Sequence, residues 1–342
     1  MKTKAEASAP GKVILLGEHF VVHGEPAIVL AIDRRVTVTV KVRSDSRVFI
    51  KSEDLGISGF FKNDQFFPQR GDGEAKRRLE PIYAVAKEII QKCGSNNGVN
   101  IEVKSSLPIA AGLGSSAAVS VASAAALCSL FDFKESKDNI FQIAFNAEKI
   151  IHGNPSGVDP AISTYGGILQ YRKSKPIRRL HVNIDLPLVI GNTKKERSTG
   201  TLVAKVNNLR RRYPQIIGKI IRAGGEIVER SVRALREGDL ETLGELMNIN
   251  HELLSAIGVS CMELEKLVHA ARNAGALGAK LTGAGGGGCM IALVSPEKIK
   301  DVADAIEMAG GEVLITRKTD ACLLYTSPSP RDLSTSRMPS SA

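Results

Sequence analysis

The sequence predicts an α+β protein built from two units, and three observations carry that prediction. Val36-Thr-Val-Thr-Val-Lys-Val42 alternates apolar and polar residues with the period of a half-buried strand. Three long segments of the first half, residues 74–92, 116–130 and 137–151, have helical spacing or helix-forming composition. The second half runs mostly as helices and closes on short apolar strands around a glycine run. A sheet covered by helices in this mixture is α+β.

The first unit is expected over residues 1–183. A second strand follows at 99–103, Val-Asn-Ile-Glu-Val. Residues 55–73 are polar and contain glycine without a clear period, so they read as a long surface excursion, free to move over a site. The 137–151 helix has Glu135-Ser136 ahead of it as an N-cap and stops at Gly153 and Pro155. A strand at 167–171 and the basic segment 172–180 end the unit. The second unit, residues 184–321, opens on a buried-type strand at 187–191. Helices are expected at 199–212, 214–236, 239–256 and 262–274. Strands at 279–282 and 289–294 then flank the glycine run, before a helix at 296–309 and a strand at 312–316. No internal repeat is visible.

Composition excludes several classes. The 342 residues are 43% hydrophobic and 24% charged, ordinary for a globular chain long enough to bury a full core. No apolar run approaches the ~20 residues of a membrane span. The opening Met1-Lys-Thr-Lys-Ala-Glu lacks the apolar centre of a secretory signal, and five cysteines show no CxxC spacing. A cytoplasmic protein with reduced thiols, and no membrane partner, is expected. The net charge of +10 comes from clusters at 172–179, 194–197 and 210–212. With no Trp and only 4% aromatic residues, these do not make a nucleic-acid surface, which usually adds stacking rings. They read as solvated basic faces that also attract a polyanionic nucleotide.

The chemistry is concentrated in glycine-rich loops. Pro108-Ile-Ala-Ala-Gly-Leu-Gly-Ser-Ser-Ala-Ala118 leads straight into an alanine-rich helix. Gly112 and Gly114 let the backbone turn and approach a ligand closely. The first helical turn, at Ser115 and Ser116, offers unpaired N–H groups and the positive end of the dipole, a natural seat for phosphate. A hydroxyl there also suits Mg²⁺. A plainer alternative is a serine-capped helix after a glycine turn. No Gly-Lys-Ser/Thr follows, so this is not a Walker A loop.

Two more motifs stand far away in the chain. Ser8-Ala-Pro-Gly-Lys-Val-Ile-Leu-Leu-Gly-Glu-His-Phe-Val-Val-His-Gly24 lies near the start, and Lys280-Leu-Thr-Gly-Ala-Gly-Gly-Gly-Gly-Cys289 near the end. In order and composition, the three resemble the signature motifs of the GHMP kinases, the superfamily of galactokinase, homoserine kinase, mevalonate kinase and phosphomevalonate kinase. Glu148-Lys-Ile-Ile-His-Gly-Asn-Pro-Ser-Gly-Val-Asp-Pro-Ala-Ile-Ser-Thr-Tyr-Gly-Gly167 resembles the catalytic-carboxylate segment of the mevalonate kinase family. Asn192-Thr-Lys-Lys-Glu-Arg-Ser-Thr199 resembles its substrate-side loop. The resemblance spans roughly residues 7–319, with an archaeal-like brevity.

It implies a ribosomal-protein-S5-like N-terminal domain joined to a ferredoxin-like C-terminal domain, with ATP and substrate between them. The implied reaction is ATP- and Mg²⁺-dependent phosphorylation of the primary hydroxyl of (R)-mevalonate in isoprenoid biosynthesis. The alternatives are another GHMP small-molecule kinase, such as phosphomevalonate kinase, or a non-catalytic binding protein on the same fold. A homodimer is expected. By the family pattern, Pro108, Ala111, Gly112, Leu113, Gly114, Ser115 and Ser116 bind nucleotide.

Asp159 is the candidate base; read without the resemblance, it would cap the helix that follows at Pro160. Lys12, at the start of an apolar strand, is the candidate cation beside Asp159, where it would favour the developing alkoxide. Otherwise it is a strand-edge lysine. Ser116 and Glu148 are the implied Mg²⁺ ligands, although a helical glutamate is more often simply exposed. Glu18, His19, Arg197, Thr199 and the loop Gly283, Ala284, Gly285 are expected on the substrate side, with Arg197 matching a carboxylate in fork geometry. His19 and His23 are four apart but lack the His-Glu-x-x-His pattern, so zinc is not expected.

Residues 322–342 change character, with six serines, three prolines and no apolar period. They resemble translated sequencing-adapter sequence and are expected to be disordered and to add nothing to folding or catalysis.

Overall fold

The computed structural model describes residues 2–108, 111–153, 155–195 and 199–326. Two long antiparallel strands, β1 (Lys4–Leu16) and β2 (Pro26–Val42), open the chain, joined through a 3₁₀ turn at Phe20–His23. Then come β3 (Val48–Ser52), β4 (Ile57–Lys62), β5 (Gln65–Arg70), α1 (Ala75–Lys92), β6 (Val99–Ser105) and α2 (Ser115–Leu130). The helices α3 (Lys137–His152) and α4 (Val158–Tyr165) and the strands β7 (Ile168–Arg172) and β8 (Arg178–Leu180) complete the first unit. The second holds β9 (Pro187–Asn192), α5 (Thr199–Arg212), α6 (Pro214–Glu237), α7 (Leu240–Ala256), α8 (Met262–Asn273), β10 (Gly278–Leu281), β11 (Cys289–Leu293), α9 (Ile299–Met308) and β12 (Glu312–Arg317). A last strand, β13 (Leu324–Thr326), follows.

Among the described residues the first sheet runs β13-β1-β2-β6-β3-β4-β5, with β7 also on β2 and β8 on β7; only β3 and β6 pair in parallel. The second sheet, β10-β11-β9-β12, is antiparallel throughout. The α+β reading holds. Alanine and serine dominate α2, and nearly all of its length is buried against β1, β2, α1, α3 and α4. Small side chains let it run through the centre of the unit, which fixes its N-terminal end next to β1.

Three expectations need correction. Residues 55–73 are not a loose excursion, because β4 and β5 form a hairpin at the edge of the first sheet. Asn63 and Asp64, at φ 48° and 62°, make its two-residue turn, and both residue types tolerate the left-handed conformation that such a turn demands. Phe61 is buried and stacks on Tyr83 of α1 at 4.2 Å, so the hairpin is anchored. The basic segment 172–180 likewise holds a short strand, β8.

The second correction concerns helix starts. Gly114, at φ 76°, caps α2, so Ser115 and Ser116 both lie in its first turn rather than one of them capping it. Gly157 caps α4, and Asp159 is a first-turn residue, not the cap.

The third concerns residues 322–326, which are not a solvated tail. Leu323 is 4% exposed inside the main core, and Leu324, Tyr325 and Thr326 pair with Ser8, Ala7 and Glu6 of β1. The Arg35 guanidinium donates to the Cys322 and Ala321 carbonyls at 2.7 and 3.0 Å. The boundary at 321 therefore cuts through structure; residues 327–342 lie outside the described residues. A chain ending at Ala321 should melt several degrees lower than one ending at Thr326, since one buried leucine contributes about 1.5–3 kcal/mol. Equal melting temperatures would show that β13 adds nothing.

Candidate active site

The site is assembled on β1. An irregularity in the pairing of β1 with β2 falls between Pro10 and Lys12. It turns the Lys12 side chain out of the regular ladder toward the loop ahead of α2. The Lys12 N–H donates to the Leu113 carbonyl at 2.8 Å. A Cβ on Gly114 would come within 2.7 Å of Lys12 Cγ, so the glycine is required both by its left-handed backbone and by this close approach. Lys12 thus lies along the loop, and its side chain is only 8% exposed.

Lys12 Nζ reaches Asp159 Oδ1 at 3.3 Å. Asp159 sits in the first turn of α4, where the helix dipole favours a carboxylate. Its side chain is 31% exposed, so one flank of the pair remains open to an incoming hydroxyl. Glu148 comes from α3 and is 5% exposed. Burial pushes its carboxyl up to about 7, helped by the Asp159 charge and opposed by Lys12. Lys12 is remote in sequence from Glu148 and Asp159, yet the three groups are within electrostatic reach of one another. Ser115 and Ser116 are half-buried at the N-terminal end of α2. Ala111 and Leu113 are buried and anchor the loop; Gly112 is exposed, and Pro108 is half-buried just before the two undescribed residues of that loop.

The second unit supplies another wall. Thr282 Oγ1 donates to the Ile14 carbonyl at 2.9 Å, two residues along β1 from Lys12. His19 Nε2 donates to the Ala284 carbonyl at 2.7 Å, and burial holds the imidazole below its ordinary pKa. Gly283 and Gly285 both have φ 78°. A side chain on Gly285 would overlap the Val259 carbonyl oxygen, so the glycine run is a packed turn and not a linker. Leu202 of α5 packs over Gly286, which brings the first turn of α5, and with it exposed Thr199, to this loop. Arg197 and Ser198 lie outside the described residues.

Glu18 departs from expectation. Its side chain has no exposed surface: the carboxylate forms an ion pair with Lys280 of β10 and accepts from Asn250 Nδ2 at 3.2 Å. It faces the junction of the two units instead of open space. Lys280 and Asn250 had no role in the sequence reading. Lys280 stands between Ala279 and Leu281 on a wholly buried strand, a place where a lysine requires a carboxylate partner. That was the available signal, but nothing local identified the partner.

This arrangement suits phosphoryl transfer. The N-terminal end of α2 with its glycine turn presents backbone N–H groups to phosphate. Ser116 and Glu148 carry oxygens of the type that Mg²⁺ takes. The Lys12–Asp159 pair fits an acceptor hydroxyl. Among the described residues no group of three or more His, Cys, Asp or Glu side chains could hold a metal ion.

Known proteins agree. The GHMP kinases N terminal domain matches residues 80–167, and GHMP kinases C terminal matches residues 231–310. Mevalonate kinase of Thermococcus sibiricus is 41% identical over 319 residues, covering 91% of this chain and 95% of that protein. Mevalonate kinase of Pyrococcus furiosus is 41% identical over 322 residues, covering 92% and 96%. Among solved structures, L. major mevalonate kinase in complex with R-mevalonate superposes with a TM-score of 0.82 at 28% identity, covering 94% of this chain and 98% of that one. The Methanococcus jannaschii mevalonate kinase gives 0.78 at 27% identity, covering 92% and 98%. By these relatives, the chain belongs to the mevalonate kinase family of the GHMP kinases.

Proposed function

We propose that the protein transfers the γ-phosphoryl group of ATP to the primary hydroxyl of (R)-mevalonate, giving 5-phosphomevalonate for isoprenoid synthesis. The observation that carries this reading is the Lys12–Asp159 pair at 3.3 Å, lodged against the glycine turn before α2. The α2 N-terminal N–H groups and Ser115 bind the phosphates. Asp159 Oδ2, the oxygen farther from Lys12 in this contact, accepts the proton of the acceptor hydroxyl. The Lys12 ammonium stabilises negative charge growing on the oxygen of the acceptor hydroxyl, in a site where its own stem is excluded from water. Mg²⁺, held by Ser116 and Glu148, would neutralise phosphate charge. Because phosphoryl transfer passes through a loose transition state, holding the partners in line accounts for much of the rate.

On the acceptor side, His19, Thr199 and the Gly283–Ala284–Gly285 backbone line the substrate, with Arg197 as the partner of its carboxylate. Glu18 acts behind this wall. No helix among the described residues is long and apolar enough to cross a membrane. A cytoplasmic homodimer goes with this reading, checked by light scattering of the purified protein.

The deciding experiment is turnover of the purified protein on a panel of alcohols: mevalonate, phosphomevalonate, homoserine and galactose, each with ATP and Mg²⁺. Mevalonate should give a kcat/KM at least ~100-fold above the others, since a site built to pair the acceptor's polar groups rejects analogues that leave them unpaired. Negligible turnover of mevalonate beside good turnover of another alcohol would replace this assignment.

A further inference from the structure

We infer that Lys280 is a positioning residue, whose buried ion pair with Glu18 sets the acceptor-side glycine loop against the strand that carries Lys12. This rests on the function proposed above and deepens it. Lys280 and Glu18 are both fully buried at the junction of the two units, 262 residues apart in the chain. Lys280 Nζ donates to Glu18 Oε1 and also to the Leu281 carbonyl at 2.6 Å, while Asn250 Nδ2 takes the other carboxylate oxygen. Lys280 and Glu18 are therefore each held by a second contact besides the ion pair.

The residues next to the pair are the ones that face the site. Glu18 is followed by His19, which bonds Ala284. Lys280 lies two residues before Thr282, which bonds the Ile14 carbonyl. Three ties thus join the end of β1 and the residues just after it to the end of β10 and the turn that follows, with the ion pair deepest. In the low dielectric around two fully buried charges each ångström of separation costs more energy than it does between neutral hydrogen-bonding groups, so the ion pair is the stiffest of the three ties. The phosphate loop is held separately, by the Lys12–Leu113 backbone bond and by the burial of α2. Loosening the ion pair should accordingly move the acceptor wall and leave nucleotide binding alone.

Lys280→Met by itself strands a buried carboxylate and is expected to destabilise the whole protein. The informative protein is therefore the double variant Lys280→Met with Glu18→Gln, which removes both charges and keeps similar volume. We expect its melting temperature to return to within a few degrees of the parent. KM for mevalonate should rise at least ~10-fold with KM for ATP within twofold, and the amides of Gly283–Gly288 should exchange faster with solvent. Parental KM and parental loop exchange in the double variant would overturn the inference and leave the pair as packing. An equal rise in both KM values would also overturn it, as a general loosening. If the parent itself does not phosphorylate mevalonate, the proposed function fails first, and loop exchange still tests the role of Lys280.

Discussion

Asp159→Asn should lower kcat by roughly 10²–10⁴-fold, the range expected on removing a positioned general base, while the affinity for ATP stays near that of the parent. The substitution keeps the shape of the side chain and the start of α4 but takes away the carboxylate that faces Lys12 at 3.3 Å. Single-turnover rates and nucleotide binding, measured side by side, separate the two effects. The melting temperature should change little, because the ion pair is partly open to solvent and such pairs contribute modestly. A variant with near-parental kcat would shift the weight to Lys12 and in-line positioning, which a loose phosphoryl-transfer transition state permits.

The second large effect concerns Glu148. Its carboxyl is raised from an ordinary 4.5 to about 7, first by burial and then by the neighbouring Asp159 charge. The folded, metal-free protein therefore holds a proton that the unfolded chain releases near pH 4.5. The resulting stabilisation is fully present below pH 4.5 and is lost as pH rises to about 7. The span corresponds to a loss on the order of 3 kcal/mol, visible as a falling denaturant midpoint over that window. Glu148→Gln should flatten this part of the profile.

Cation binding runs the other way, since a carboxylate must shed its proton to ligate. Half-saturating Mg²⁺ should rise as pH drops below about 7, approaching ~10-fold per unit, while Glu148→Gln should need more Mg²⁺ above that pH, lose the dependence, and meet the parent as pH falls. A Mg²⁺ requirement equal to that of the parent would remove Glu148 from the ligand set.

Much of the fold was legible because its signals are local. Helices α5, α6 and α7 start or end on proline, an Asp239 cap and glycine, and their bounds fall within two residues of expectation. The β4–β5 hairpin was missed for a local reason as well. Its turn uses Asn-Asp in place of the usual Asn-Gly, and its aromatic pairs look like a polar, irregular stretch until they stack across the strands. Residues 322–326 were misjudged because their composition favours solvent; an open edge on β1 and a core gap for Leu323 override it.

The sequence by itself determined the glycine turns and the helix that begins after the second of them, and through its motifs it singled out Lys12, Asp159 and Glu148 as candidates. These depend on backbone freedom, helix propensity and residue type, properties that act over a few positions. Only the tertiary structure decided that Glu148 is buried, that Glu18 looks inward to Lys280 and Asn250, and that the glycine run is clasped by His19 and Ile14. A charge has no environment until distant segments close around it. Desolvation and pairing are set by what packs there, and a partner 262 residues away leaves no trace in the neighbouring sequence.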